Sequence, residues 1–137
     1  MKRLALVLLL LFAGAPRAQS VAPADQAAIQ AVIAAQLDAF RRDDETAAFG
    51  YASPMIQGMF ETPTRFMDMV RGPYRPIYRP RLVEFGEIIE VEGRPVQKVE
   101  IIGPDGTAVL ALYTMIRRPE GWRIDGVALT ASEKFAA

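Results

Sequence analysis

The sequence predicts an α+β fold in which a long N-terminal helix and several short ones pack on a curved, four-stranded antiparallel sheet. Three observations carry this reading. Residues 81–130 hold four β-rich runs, separated by the turns Glu92-Gly93-Arg94-Pro95, Gly103-Pro104-Asp105-Gly106 and Arg118-Pro119-Glu120-Gly121. Short Gly/Pro connections of this kind join neighbouring strands as hairpins. The sequence before residue 81 is helical or irregular in pattern, and a sheet with one apolar face needs helices to cover it.

The first helix is expected over residues 23–42. Pro23 suits the first helical position, and Asp25 complements the positive end of the helix dipole. Ile29, Val32, Ile33, Leu37 and Phe40 fall at steps of three and four and form one apolar stripe. Asp43-Asp44-Glu45 offers a cap and an acidic first turn to a second, shorter helix. Ser53-Pro54 and Thr62-Pro63 each place a hydroxyl cap before a first-turn proline, and so start helices over 54–60 and 63–71. Gly72-Pro73 ends the last of these. With prolines at 73, 76 and 80, the next segment is read as an extended connection into the sheet.

In the sheet, Val83, Phe85, Glu87, Ile89 and Val91 alternate with Leu82, Glu84, Gly86, Ile88 and Glu90. The second strand sets Val99 and Ile101 against Lys98 and Glu100. The third, residues 107–117, is apolar on both faces, as a central strand would be. The fourth places Trp122 and Ile124 inward, with Arg123 and Asp125 together on the opposite face as a surface ion pair.

The chain opens Met1-Lys2-Arg3 and runs apolar over residues 4–15. A basic start, a short apolar run and small residues after it describe a secretory signal peptide. A membrane-spanning helix needs about 20 apolar residues. Cleavage after Ser20 leaves residues 21–137 as one exported domain, periplasmic or secreted, with no stable membrane span. No Cys is present, so disulfides and thiolate metal sites are excluded. The absence of His removes the usual neutral-pH proton-transfer group and the commonest metal ligand. Without Lys2, Arg3 and Arg17 the mature chain has 13 basic residues against 16 acidic, a net charge near −3. A weakly acidic domain lacks the basic footprint of a nucleic-acid binder. A domain of this size buries about two-thirds of its unfolded surface, enough for a core without staples.

Ala39-Phe40-Arg41-Arg42-Asp43-Asp44 through Ala52-Ser53-Pro54, with Gly121-Trp122-Arg123-Ile124-Asp125-Gly126-Val127, resembles an uncharacterised family of short exported bacterial proteins, domain of unknown function 4864. More broadly, the order of elements resembles the nuclear-transport-factor-like, or cystatin-like, superfamily. That resemblance implies a bent sheet wrapped around the first helix into a cone, whose open end often holds a small hydrophobic ligand. Some members are isomerases, dehydratases or hydrolases, and many only bind. The steroid-isomerase branch uses a Tyr near the end of the first helix with two carboxylates in the cavity. No Tyr stands in the first helix here, so that assignment does not carry over and no catalytic residue is assigned.

Met55, Met59, Met67 and Met69 suggest soft-metal ligation, but Met67 and Met69 stand two apart and diverge on a helix. An apolar lid explains them better, and neither metal nor cofactor is assigned. Arginines at 65, 71, 75, 79 and 81 recur beside Tyr74 and Tyr78. Either they clamp an anion, or they lie flat and pair with Glu84, Glu87 and Glu90, which is the favoured alternative. The expected binding site consists of Tyr51, Met55, Phe60, Phe66 and Tyr113, with Arg75 and Arg79 at its rim for an anionic or polar head group. Its occupant is a small apolar or anionic ligand. The alternatives are a small isomerase or hydrolase with a buried carboxylate, and a protein-interaction module. The two apolar faces of the third strand further predict a homodimer through the outer face of the sheet.

Overall fold

The computed structural model describes residues 21–135. The leader expected over 1–20 lies outside the described residues. Five helices precede the sheet: α1 (Pro23–Arg41), α2 (Glu45–Gly50), α3 (Pro54–Phe60), α4 (Pro63–Arg71) and α5 (Arg75–Tyr78). Then come β1 (Leu82–Val91), β2 (Arg94–Ile102), β3 (Ala108–Arg118) and β4 (Gly121–Ala131), paired in sequence order and antiparallel throughout. Among the described residues, no helix is long and apolar enough to cross a membrane.

The helix starts follow their caps. Asp44 accepts from the amide of Ala47, Ser53 from that of Ile56 and Thr62 from that of Arg65, each at the head of its helix. Each cap satisfies one amide that the first helical turn leaves without a partner. α1 has 19 residues, about 28 Å at 1.5 Å per residue, and ends where Asp43 takes φ 50°. Its stripe is buried: Ile29, Ile33, Leu37 and Phe40 join Val99, Ile101, Ala111, Tyr113, Met115 and Ile124 in one core. Each of the Ile, Leu, Val, Phe and Met side chains contributes about 1.5–3 kcal/mol when taken out of water.

The register assigns the two faces of the sheet, since paired residues share a side. Val99 opposite Ala111, Gln97 opposite Tyr113 and Met115 opposite Ile124 lie on the inner, helix-covered side. Lys98 with Leu112 and Glu100 with Leu110 lie on the outer side. The chain beyond β4 returns across this outer side, where Ser132 donates to Glu100 and Lys134 pairs with Glu84.

Three expectations require correction. The strict alternation read along β1 breaks at a bulge between Phe85 and Ile88, which moves Ile88 to the inner row opposite Gln97 and Ile89 to the outer. The buried Gln97 amide holds this bulge by donating to the carbonyl of Gly86 at 2.8 Å. The segment read as extended between Pro73 and Pro80 instead contains the single turn α5. Pro76 sits in its first turn, where a missing N–H costs nothing, so proline favours that short helix. Asp125 is not a surface partner of Arg123. It is the extra residue of a bulge between Thr114 opposite Gly126 and Met115 opposite Ile124. At 7% exposed, it pairs with Arg94 at 2.6 Å, while Arg123 donates to the carbonyl of Trp122.

Candidate functional site

A cavity of about 290 Å³ lies between the helices and the edge strand β4. α1 contributes Gln36 and Phe40, and α3 contributes Ile56, Met59 and Phe60. α4 supplies Phe66, Met69 and Val70, with Ile77 of α5 and Tyr74 just before it. Ile124, Gly126 and Val127 of β4 close the far side.

Local structure positions each wall. The segment at Ala52 forms a parallel bridge with Ile124: Ser53 donates to the carbonyl of Ile124 at 2.8 Å, and Ile124 to that of Tyr51 at 2.9 Å. The Gln57 amide anchors α3 to the carbonyls of Phe49 and Ala52 at 3.1 Å each. Phe66 is an aromatic hub, its ring centroid 5.3 Å from Phe49, 5.7 Å from Phe60 and 6.4 Å from Phe40. Opposite, Tyr74 donates its hydroxyl to the carbonyl of Val127 at 3.0 Å and ties the α5 turn to the edge strand. The cavity is therefore bounded by stapled elements, and its lining side chains are apolar except for Gln36 and Tyr74.

Of the residues expected at the site, Phe60 and Phe66 stand together in this wall. Met55 projects into solvent at 55% exposed, and Tyr51 packs at the edge of the core. Tyr113 is fully buried between the sheet and the helices, and its hydroxyl is the one buried side-chain polar atom without a partner among the described residues. Burial pushes that phenol well above its ordinary range. Arg75 borders a separate depression with Pro76, Pro104 and Asp105.

Arg71 and Arg79 do not pair with Glu84 or Glu87 of β1, two of the expected partners. Arg79 pairs with Asp43, and Arg71 with Asp43, Glu45 and Asp68. The helical turn at 75–78 directs the segment back to the end of α1, which brings those acids within reach. Glu84 and Glu87 pair with Lys134 and Lys98 instead.

Met59 and Met69, expected as part of an apolar lid, stand in the wall, whereas Gln36, Ile56 and Tyr74 were not expected there. A signal for Gln36 was present: it stands three residues after Ile33 and four before Phe40, inside the apolar stripe. A polar residue on a buried stripe requires a buried partner or a cavity.

A family model described as Domain of unknown function (DUF4864) matches residues 22–137. No curated protein and no solved structure matches the chain.

Proposed function

The chain belongs to this DUF4864 family, and from that premise we propose that it is an exported, noncatalytic domain that holds a small apolar molecule in the cavity between α1, α3, α4 and β4. The observation that carries the proposal is the wall itself. A preformed, mainly apolar concavity of about 290 Å³, rimmed by stapled elements, has the character of a small-molecule site. No Asp, Glu, Lys or Arg is among its lining residues, so binding fits this wall better than carboxylate-driven isomerisation or hydrolysis. The order of elements, one helix followed by short helices and an antiparallel meander, also supports a nuclear-transport-factor-like plan.

Native mass spectrometry of protein purified from its own cell envelope tests the reading. Wild type is expected to release a small molecule that an Ile56→Trp variant, narrowing the cavity, does not carry. A ligand-free wild type that also takes up no apolar probe would overturn it. Export is tested separately: envelope fractionation and N-terminal sequencing should find a mature chain beginning at Val21.

We further propose a homodimer through the outer face of the sheet. Val96 is only 5% exposed there, and Leu110, Leu112 and Ile116 are half-buried although the helical core lies on the other side. An apolar centre flanked by Lys98, Glu100 and Arg123 has the composition of an interface.

A further inference from the structure

We propose that the cavity selects a neutral ligand with one hydrogen-bond donor, an alcohol or N–H group received by the side-chain oxygen of Gln36, and disfavours anions. This rests on the cavity reading and adds the chemical class of its occupant.

Gln36 is 2% exposed and stands in the cavity wall between the buried Ile33 and Phe40. Its amide orientation follows from its partner. The contact is with the carbonyl of Ala48 at 3.1 Å, and a carbonyl only accepts, so the nitrogen faces Ala48 and the oxygen faces away. That oxygen accepts from no described residue. It is also not one of the fully enclosed, partnerless polar atoms, a condition met among the described residues by the Tyr113 hydroxyl. It therefore keeps accessible area, and for a buried residue in the wall that area opens on the cavity. The other polar wall group, the Tyr74 hydroxyl, already donates to Val127.

A fixed acceptor in an apolar wall rewards a donor and penalises a second acceptor. An alcohol gains a hydrogen bond that its methyl ether cannot make. A carboxylate would lose its water beside another oxygen, with no basic side chain on the wall to compensate. Arg75 and Arg79, expected at the rim, do not line this cavity.

The test is a ligand series on the full mature chain by calorimetry: naphthalene, naphthol, methoxynaphthalene and naphthoate. Naphthol is expected to bind about tenfold more tightly than its methyl ether, the equivalent of one ordinary hydrogen bond. Naphthoate is expected to be the weakest. Gln36→Leu should remove the advantage of naphthol over its methyl ether. Should that variant fail to fold, the alcohol-against-ether comparison on wild type still decides. Equal binding of naphthol and its ether, or tightest binding of naphthoate, overturns the proposed selectivity while the cavity reading stands. No binding by any of the four overturns both.

Discussion

The carboxylate of Asp43 lies 2.9 Å from the guanidinium of Arg79, and Arg79 in turn donates to the carbonyl of Phe40 at 2.6 Å. Asp43 also accepts from the Tyr78 hydroxyl at 2.5 Å and meets Arg71 at 3.3 Å. The Arg79 guanidinium stacks over the Tyr78 ring, 3.9 Å from its centroid. One acid at the end of α1 thus gathers three side chains, Arg71 of α4, Tyr78 of α5 and Arg79 just after it. The knot holds α5, and with it Ile77, against the cavity.

Asp43→Asn is therefore expected to lower the urea midpoint, without backbone strain, because Asn tolerates the positive φ found there. The effect should depend on pH. The Tyr78 hydrogen bond, with Arg71 and Arg79, holds the Asp43 carboxyl below its ordinary value of 3.8. A depressed folded pKa means stability that is present above the unfolded value and lost as pH falls through the folded one. Wild type should exceed the Asn variant at pH above about 4 and converge with it in stronger acid. A gap that stays constant with pH would assign the effect to packing.

Tyr113→Phe is expected to stabilise the protein by roughly 1 kcal/mol, because a buried hydroxyl without a partner costs free energy that Phe does not incur. Tyr113 is fully buried opposite Gln97 on the inner face, so the ring keeps its packing in the variant. Urea denaturation monitored by circular dichroism measures the change. A loss of stability would show that the hydroxyl holds an internal partner such as water.

Much of the fold was legible because it is written in local chemistry. Ser53-Pro54 and Thr62-Pro63 start helices with side-chain caps that any backbone would use, and the three Gly/Pro turns set the strand order. What escaped were the places where one residue departs from a period. The bulges at Gly86 and Asp125 shift parity through contacts with Gln97 and Arg94, which are distant in sequence. The cavity was half legible for a similar reason. Phe60 and Phe66 announce themselves as apolar, whereas Tyr74 and Val127 converge only through a tertiary hydrogen bond.

Asp125 and Arg94 should prove energetically coupled. The Asp125 side chain is 5% exposed and Arg94 55%, so Arg94 shields one side of a carboxylate that has little access to water. Arg94→Met is expected to cost about 1–3 kcal/mol, chiefly by leaving that carboxylate without its charged partner. In an Asp125→Asn background the same change should cost much less. A double-mutant cycle in urea measures the coupling, and additive losses would mean that the pair contributes nothing.

The outer face of the sheet supplies the last prediction. Leu112 stands at the centre of β3, opposite Lys98 on one side and Ala128 on the other, and remains half-buried. A two-fold dimer would set such a row against its own copy, with the charged residues of neighbouring strands as the rim. Part of the face is already covered, since Ser132 and Lys134 cross it to Glu100 and Glu84. The dimer contact is therefore expected toward Val96, Leu112 and Ile116, away from that strap. Light scattering after size exclusion at micromolar concentration should give a dimer mass for wild type and a monomer for Leu112→Lys, whose charge would be desolvated in the interface. A monomer mass for wild type would mean that this face stays in water, as one side of an antiparallel sheet can.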